Sequence, residues 1–340
     1  MPRVKRATLA DVARLAGVSV TTASYILNGR TEQMRISSET ETKVRAAMEE
    51  LDYRPNRSAQ NLRRSSTQTI GVISDFVASG AFASQMLTGA SAAARSLEYL
   101  LVIGESLGDR ATEDLLIEEM RDRQVDGIVY LTLAASLVSV PEQLHEGPTV
   151  LLNCLDPNVD LPAVLPDDEA GGRAAGKHLL AAGLREDVWV VGDDFALGST
   201  AGHDRLRGLS LALDQAGSYL TGVIPCSWTV QDARDSVHAW LGAGNRANAL
   251  VCLNDRVAMG TYQALAEASL DVPHDVSVIS FDGSDLASWL RPRVTSLALP
   301  FLAMGTLAVE QLLSIEWASG GVTRLPLALD VGASVAGDVD

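Results

Sequence analysis

Apolar residues recur at helical spacing through the N-terminal segment, and polar residues between them mark helix ends. Thr8 precedes the first apolar run and can cap a helix, while Asp11 adds a negative charge to its first turn. Gly17 ends this run, Ser19 can cap a second short helix, and a third helix begins after Ser37. The pattern predicts a three-helix head containing a helix-turn-helix. A plain helical hairpin packed on a larger domain is the alternative.

From Thr69 onward the pattern changes, and short apolar runs alternate with longer amphipathic segments. Strands are predicted at residues 69–73, 100–103, 127–130, 149–152, 188–191, 249–252 and 276–279. Helices are predicted at residues 82–96, 111–123, 168–180, 204–215, 231–240, 256–268 and 301–319. This alternation predicts two α/β units in tandem, each with a parallel sheet covered on both faces. Because such sheets bind ligands beyond the carboxyl ends of their strands, we expect a ligand cleft between the two units.

A polar and basic segment, residues 56–64, separates the head from this α/β region. The third helix ends at residues 53–56, since the residue before Pro55 is disfavoured in the α conformation. Residues 56–64 can form at most two turns around an isolated Leu62. A helix this short is marginal in water, so we predict that it orders only against another surface.

Composition narrows the class of protein. A chain of 340 residues is long enough for two or three domains with buried cores, and 47% hydrophobic with 21% charged residues is typical of soluble globular proteins. No apolar run approaches the roughly 20 residues that span a membrane, and no apolar signal-peptide core follows the basic N-terminus. Cys154, Cys226 and Cys252 are far apart and odd in number, which favours a reducing compartment. We therefore predict a cytoplasmic protein with no metal site and no cofactor.

The charge distribution favours nucleic acid at one end of the molecule. The net charge of −16 argues against a nucleic-acid ligand for the chain as a whole. Residues 1–66, however, contain 12 Lys and Arg against 7 Asp and Glu, whereas the remaining residues contain 15 against 36. A basic head on an acidic body confines DNA contact to the head. A basic surface that is merely solvated is the alternative.

Four motifs together give the chain a family pattern. They are Thr-Leu-x-Asp-Val-Ala-x-x-Ala-Gly-Val-Ser beginning at Thr8, Asn28-Gly29, Tyr53-Arg54-Pro55-Asn56, and Ala59-x-x-Leu62. Along nearly its whole length the chain resembles the lactose-repressor/galactose-repressor family of bacterial transcription regulators. The resemblance implies a helix-turn-helix head in residues 1–55, a hinge helix and linker in residues 56–68, and a two-lobed periplasmic-binding-protein-like body in residues 69–340.

Within the body, the resemblance implies that the chain crosses between the lobes more than once. The first lobe is expected to comprise about residues 69–164 and 290–320. The second lobe is expected to comprise about residues 165–289 and 321–340. Effector and dimer contacts are both assigned to this body.

The predicted DNA-reading surface is the start of the second helix. Its pattern leaves Val20, Thr21, Ser24 and Tyr25 facing outward, where a helix-turn-helix meets base edges in the major groove. The resemblance implies that Leu62 wedges into a minor-groove base step when the hinge helices of a dimer dock on an operator. Without the resemblance, Leu62 is an ordinary linker residue. The predicted DNA-binding residues are Thr8, Ser19, Val20, Thr21, Thr22, Ser24, Tyr25, Asn28, Arg35, Tyr53, Asn56, Arg57, Ala59 and Leu62.

The resemblance also implies an effector pocket at the ends of the predicted strands. Arg205 stands three residues before Gly208, Asn254-Asp255 closes a strand, and Phe281-Asp282-Gly283 matches a family corner. The predicted effector-binding residues are Asp75, Phe76, Phe82, Asn153, Arg205, Trp228, Asn254, Asp282 and Phe301. Hydrogen-bonding groups beside aromatic faces suit a polyhydroxylated ligand such as a sugar, with a nucleobase as the alternative. For each of these residues taken singly, a structural role such as capping a strand end or filling the core is as good an explanation as contact with the effector.

Four positions depart from the family pattern. Tyr25 occupies the place of a common arginine, and Val20 with Thr21 offers little bidentate hydrogen bonding. Asn153 stands where an acidic residue is frequent. The operator sequence and the identity of the ligand therefore stay open.

Other function classes explain only fragments of the sequence. Residues 171–177 satisfy most of a phosphate-binding loop, but His178 stands where a Ser or Thr is needed. Ser199, His203 and Asp204 are close in sequence, which is not how a catalytic triad assembles. A solute-binding protein shares the body but lacks a DNA-reading head. We predict a non-enzymatic repressor that binds double-stranded operator DNA and a small effector, as a homodimer or higher oligomer, with no membrane partner. Whether the effector induces or co-represses is open.

Overall fold

The computed structural model describes residues 7–53, 66–76, 84–192, 199–314 and 321–337. They belong to two units, residues 1–67 and residues 68–340. The first unit contains three helices, α1 (Leu9–Ala16), α2 (Val20–Leu27) and α3 (Ser38–Glu50). The predicted hinge residues 56–64 lie outside the described residues.

The head helices begin and end at the residues that the sequence indicates. Thr8 Oγ1 accepts a hydrogen bond from the Asp11 amide at 3.3 Å, and the Asp11 carboxylate accepts one from the Thr8 amide at 3.0 Å. Gly17 ends α1 with a left-handed φ of 68°, and Ser19 Oγ caps α2 by accepting from the Thr22 amide at 3.0 Å. A small shared core is formed by Val12, Ala13, Ala23, Ile26, Val44 and Ala47. The prediction of a three-helix head with a helix-turn-helix is confirmed.

The second unit contains two six-stranded sheets. The first sheet has the order β2–β1–β3–β4–β5–β11, and all of its strands are parallel. Its strands are β1 (Thr69–Ser74), β2 (Leu100–Glu105), β3 (Gly127–Leu137), β4 (Thr149–Leu155), β5 (Ala163–Pro166) and β11 (Val322–Leu325). The second sheet has the order β7–β6–β8–β9–β10–β12, with only β12 antiparallel to its neighbour. Its strands are β6 (Val188–Val191), β7 (Gly222–Ile224), β8 (Ala249–Cys252), β9 (Ser277–Asp282), β10 (Thr295–Ala298) and β12 (Ala328–Asp330).

Helices cover both sheets. They are α4 (Ser84–Ser96), α5 (Arg110–Asp122), α6 (Asp168–Ala181), α7 (Ala201–Gln215), α8 (Val230–Gly242), α9 (Asp255–Glu267), α10 (Asp285–Trp289) and α11 (Phe301–Leu312), with a short 3₁₀ turn at Glu142–Leu144. No helix in the described part of the chain is both long and apolar enough to cross a membrane. Each sheet with its helices forms one lobe, and the prediction of a two-lobed body with parallel sheets is confirmed.

Both lobes have the same strand order, which fixes where ligands bind. In each sheet the order reverses between two central strands, β1 and β3 in the first and β6 and β8 in the second. A crevice opens beyond the carboxyl ends of the strands at such a reversal. Asp75, which follows β1, and Asn254, which follows β8, therefore lie at the ligand-binding edges.

Two strands pair differently from the predicted lobe ranges. Residues from about 290 are predicted in the first lobe, but β10 pairs with β9 of the second sheet. Residues from 321 are predicted in the second lobe, but β11 pairs with β5 of the first sheet. The chain therefore crosses from one lobe to the other after β5, after β10 and after β11. Both strands are short segments at or next to the edge of a sheet. Their apolar pattern does not show to which sheet they belong, and only backbone pairing does.

Glycines allow two helices of the second lobe to pack closely. A Cβ added to Gly172 on α6 would lie 2.0 Å from the Arg205 carbonyl oxygen on α7. A Cβ added to Gly208 would lie 1.9 Å from the Glu169 carbonyl oxygen. The glycine-rich residues 171–177 therefore lie inside α6 and serve helix packing, in contrast to the loop that phosphate binding requires.

Candidate functional site

Few polar side chains near the start of α2 are free to contact another molecule, because several of them form hydrogen bonds within the head. Ser19 Oγ and Thr22 Oγ1 hydrogen-bond to each other at 2.8 Å, and Asn28 Nδ2 donates to the Ser24 carbonyl oxygen at 2.6 Å. These predicted DNA contacts thus also cap and close α2. Val20 is 49% exposed, and Thr21 is exposed beside it.

The remaining predicted head residues have mixed surroundings. Tyr25 is half-buried, and Arg35 is exposed with a φ of 51°. Tyr53 packs against the head core, and burial raises the pKa of its hydroxyl. Four predicted contacts, Asn56, Arg57, Ala59 and Leu62, lie outside the described residues.

In the second lobe, Arg205 is the centre of a buried polar cluster. It is 3% exposed, and its Nε donates to Asp168 Oδ1 at 2.8 Å. Its Nη1 donates to the Leu253 carbonyl oxygen at 2.5 Å, next to Asn254. Burial raises the pKa of Asp168, and the Arg205 guanidinium opposes that rise. The ion pair joins α6 to α7, and the hydrogen bond to the Leu253 carbonyl oxygen joins α7 to the end of β8.

Aromatic rings cover the same guanidinium. Arg205 Cζ lies 4.7 Å from the ring centroid of Phe281 and 5.6 Å from that of Trp228. Both rings belong to the core of the second lobe. Cation–π attraction is strengthened where the cation is desolvated, so the rings fix the guanidinium in place.

Asn254 and Asp255 organise the start of α9. Asn254 Oδ1 caps the helix by accepting from the Val257 amide at 2.7 Å. Asp255 is fully buried, and its carboxylate accepts from Ser280 Oγ, from Ser296 Oγ, and from both the amide and the hydroxyl of Ser284. Asn254 is thus brought to the site, but its side-chain oxygen already has a structural role.

Asp282 combines an unusual backbone with an unusual titration. It ends β9 with a φ of 109°, a backbone conformation rarely adopted by residues other than glycine. Burial raises the pKa of its carboxyl to about 7; the Asp255 carboxyl adds to the rise, and Arg205 opposes it. The backbone amide of Asp255 donates to this carboxyl at the start of α9. Asp282 can therefore accept or donate a hydrogen bond near neutral pH.

In the first lobe, two of the predicted effector-binding residues, Asp75 and Asn153, form hydrogen bonds to the backbone of Leu133. Asp75 Oδ1 accepts from the Leu133 amide at 2.8 Å, and Asn153 Nδ2 donates to the Leu133 carbonyl oxygen at 3.0 Å. Asn153 also donates to the Thr132 carbonyl oxygen at 3.1 Å, and its own φ is 61°. Burial raises the pKa of Asp75. Asn153 Oδ1 is buried and has no hydrogen-bond partner among the described residues.

The aromatic residues predicted in the first lobe are less uniform. Phe76 is 43% exposed, and its ring lies close to Gly108. Phe301 begins α11 and packs against the core of the first lobe. Phe82 lies outside the described residues.

Three residues of the site are absent from the predicted set. They are Asp168, which pairs with Arg205, Phe281, which covers it, and Asp255, which joins β9, β10 and the start of α10. Asp255 closely follows the predicted strand at residues 249–252, and that position at a carboxyl end is the signal that could have found it, whereas no strand is predicted directly before Asp168.

The site offers hydrogen-bonding groups beside aromatic rings at the carboxyl ends of strands in both lobes. Such a set can recognise a small polar molecule by direct donors and acceptors. Within the described ranges, no three His, Cys, Asp or Glu side chains converge as metal ligands do.

Two family models match the chain. Residues 8–56 match the model of bacterial regulatory proteins of the lacI family. Residues 176–335 match a periplasmic binding protein-like domain. The first match covers the three-helix head, and the second covers most of the second lobe together with α11.

Curated relatives match most of the chain. The ribose operon repressor of Escherichia coli (strain K12) is 29% identical over 311 residues, covering 90% of this chain and 92% of the relative. RegA, an HTH-type transcriptional regulator of Clostridium saccharobutylicum, is 29% identical and covers 91% and 92% respectively. The transcriptional repressor PurR of Photobacterium profundum is 27% identical and covers 90% and 91%.

Solved structures share the fold over almost the whole chain. The lac repressor dimer bound to operator and the anti-inducer ONPF superposes with a TM-score of 0.83 at 25% identity, covering 97% of this chain and 99% of that one. The complex of the transcriptional regulator CelR with cellobiose gives a TM-score of 0.67 at 24% identity, covering 97% and 100%.

Proposed function

Because the chain belongs to the LacI family of bacterial regulatory proteins, we propose that it is a cytoplasmic, homodimeric transcriptional repressor without enzymatic activity. Its affinity for operator DNA is controlled by a small molecule bound between the lobes of its body. The observation that carries this proposal is the joining of a basic helix-turn-helix head to a body that carries Arg205 on α7 and Asp282 and Asn153 near the ends of β9 and β4.

In this proposal α2 reads the major groove. Val20 and Thr21 are exposed at its start, so their methyl groups can contact thymine methyl groups. Tyr25 and Arg35 supply further contacts to base edges or phosphates. The predicted hinge contacts, Leu62 above all, bend the DNA at the centre of the operator.

The effector that suits the site is a polyhydroxylated molecule of sugar size. Asp282 and the unpartnered Asn153 Oδ1 accept hydrogen bonds from hydroxyl groups, and Trp228 offers an apolar face. The matched ribose repressor and the cellobiose complex of CelR support a sugar.

A nucleobase is the second candidate. Its specific support is the raised pKa of Asp282, since a neutral carboxyl can both donate to and accept from a base edge. The similarity to PurR agrees with this alternative.

Exposed apolar side chains on the body support assembly of two copies. Leu100 and Ile103 are 59% and 43% exposed on β2, the edge strand of the first sheet, and Trp289 is 68% exposed on α10. Long exposed edges of this kind are normally covered in native proteins. The dimeric state of the lac repressor structure agrees with this assignment.

DNA binding is tested by fluorescence anisotropy on a fragment from upstream of the protein's own gene. We expect specific binding that weakens steeply with added salt, because phosphate contacts release counterions. Thr21→Ala should weaken binding, whereas Thr42→Ala, at another exposed threonine on α3, should not. Equal affinity for a scrambled fragment would contradict the proposal.

Effector binding is tested by thermal shift over a panel of pentoses, hexoses, disaccharides and purines. A true effector stabilises the body because it binds the folded state alone. Asp282→Asn should abolish the shift, and Asp285→Asn, an exposed acid three residues further along, should preserve it. A shift that survives Asp282→Asn would move the effector away from this site.

A further inference from the structure

The Asp168 carboxylate cancels the positive charge of Arg205. Asp168 Oδ1 lies 2.8 Å from Arg205 Nε, and each residue is only 3% exposed, so water and salt screen the pair little. Burial raises the pKa of Asp168 and Arg205 opposes that rise, while the weaker effects of Asp204 and Arg324 have opposite signs. Arg205 therefore brings hydrogen-bond donors to the effector site but no net charge.

Most of the Arg205 guanidinium is already engaged within the protein. Its Nε donates to Asp168 and its Nη1 to the Leu253 carbonyl oxygen. The rings of Phe281 and Trp228 lie over it. Within the described part of the chain, Nη2 donates to no residue, so this group is left to donate to a hydroxyl or carbonyl oxygen of an effector.

Two other carboxyl groups of the second lobe have no ion-pair partner among the described residues. Asp255 is fully buried, and its hydrogen-bond donors belong to three uncharged serines. Burial and the Asp255 carboxyl raise the pKa of Asp282 to about 7, and the cations Arg205 and Arg256 do not offset this rise. Together with Asp168, these acids outnumber the two arginines.

The first lobe adds a further acid. Asp75 directly follows β1, and its carboxylate accepts from the amides of Phe76 and Leu133 at 2.6 and 2.8 Å. Burial raises the pKa of Asp75, and Glu105 adds to the rise. Residues 77–83 and 193–198, which lie outside the described residues, contain no Lys or Arg. The residues around the site therefore hold more carboxyl groups than cations.

We propose that Asp168 is a specificity-determining residue, which sets the charge of the effector that the proposed function requires. Because Asp168 cancels the charge of Arg205, the remaining carboxyl groups repel acids and phosphate esters. The site accepts uncharged or cationic polyols and rejects anionic ones.

A purely structural role of the ion pair leads to a different expectation. If Asp168 only holds α6 against α7, its loss weakens every effector to the same extent. If it sets the charge of the site, its loss favours anions selectively. The ratio of the affinities for an uncharged sugar and its anionic analogue separates these two roles.

Three pairs of probes differ in charge at one end of the molecule. They are D-ribose with D-ribose 5-phosphate, D-glucose with D-glucuronate, and D-galactose with D-galacturonate. Isothermal titration calorimetry of the full-length protein measures each affinity. An uncharged sugar that binds should do so about tenfold or more tightly than its anionic partner, because the anion is brought close to like charges.

Asp168→Asn removes the charge and keeps an oxygen that can accept from Arg205 Nε. This variant should lower the preference for the uncharged sugar about tenfold or more, because the charge of Arg205 is no longer cancelled. The matched control is Asp167→Asn, one residue earlier. Asp167 caps α6 by accepting from the Ala170 amide at 3.0 Å, and asparagine caps equally well, so the preference should not change. Thermal melts check that both variants fold.

The outcomes separate this inference from the proposed function on which it rests. Equal affinity of the parent for an uncharged sugar and its anionic partner overturns the inference and leaves effector binding intact. Equal weakening of both partners by Asp168→Asn also overturns it. If Asp168→Asn does not fold, the ratio measured on the parent decides. If none of the six probes binds, the proposed sugar site is overturned together with the inference.

Discussion

The two lobes share one strand order, but they hold their candidate site residues in different ways. In the second lobe, charged and aromatic side chains bind one another: Arg205 contacts Asp168, Trp228 and Phe281. In the first lobe, Asp75 and Asn153 bind backbone atoms of Leu133 and Thr132 instead. The second lobe therefore presents a site that is rigid before ligand arrives, whereas the first lobe presents an irregular segment of β3.

This difference separates stability from recognition. Substitution within the Arg205 cluster should destabilise a whole lobe, because it leaves buried charges unpaired. Substitution of Asn153 or Asp75 should act locally on residues 132–134. All five tryptophans follow residue 188, so tryptophan fluorescence reports unfolding of the body and not of the head.

The largest effect is expected from Arg205→Ala. It leaves Asp168 as a buried carboxylate without its partner, which typically costs about 3–5 kcal/mol of unfolding free energy. Urea denaturation followed by tryptophan fluorescence measures the loss.

The matched control is the double variant Arg205→Ala with Asp168→Ala. Because the orphaned charge is then removed as well, this variant should be more stable than Arg205→Ala alone. A single variant that unfolds within about 1 kcal/mol of the parent would mean that the cluster is not a rigid unit.

The next effect is expected from Gly208→Ala. The added Cβ would lie 1.9 Å from the Glu169 carbonyl oxygen, so α7 must shift, at a cost of roughly 1–3 kcal/mol. Gly305→Ala in the first lobe meets the Met86 carbonyl oxygen at the same 1.9 Å and should cost a similar amount.

The two glycines differ in their consequence for the site. Gly208 lies one turn after Arg205, so only Gly208→Ala should also weaken the effector. Gly242→Ala meets no atom within 4 Å and serves as the control, with a stability equal to or above that of the parent. Equal loss of effector affinity from Gly208→Ala and Gly305→Ala would contradict the separation between the lobes.

The long apolar periodicities were sufficient to predict the layout of the body. Strands such as β1, β3 and β9 are buried runs that propensity and pattern both favour. The strands absent from the prediction are β5, β7, β10, β11 and β12, which have only three or four residues each, too few to show a pattern. In β7, β11 and β12 some positions are also exposed, and pairing with a neighbouring strand creates them.

The candidate site could be predicted only in part, and for a physical reason. Strand ends are visible in the sequence, and together with the family resemblance they give Asn153, Asn254 and Asp282. The partner of Arg205 is not visible, because Asp168 is 37 residues away and reaches it only through the close packing of α6 on α7. Likewise, Asn254 lies at the site, but its side-chain oxygen accepts the hydrogen bond that caps α9.

Asn153→Asp tests the backbone-held site of the first lobe. The new carboxylate would face the Thr132 and Leu133 carbonyl oxygens without the amide protons that now bind them, at a cost of roughly 1–3 kcal/mol. Because two acceptors then oppose each other, the loss should shrink as the pH falls and the carboxyl is protonated. Asn248→Asp, where an exposed amide also donates to a backbone carbonyl oxygen, is the control, and equal costs for the two variants would contradict a role for the buried amide.

The last effect concerns the pH dependence set by Asp282, and it can decide between the two effector classes. Its folded pKa of about 7 lies above the ordinary 3.8, so protonation favours the folded state. This contribution to stability is fully present below about pH 3.8 and is lost as the pH rises through about 7. Asp282→Asn should flatten that dependence in urea melts, while Asp285→Asn should retain it. A sugar donates hydroxyl protons to the ionised carboxylate, so its affinity should rise about tenfold between roughly pH 6 and pH 8. A nucleobase that accepts a hydrogen bond from the neutral carboxyl should bind more weakly over the same interval. An affinity that is flat in pH would remove Asp282 from the site.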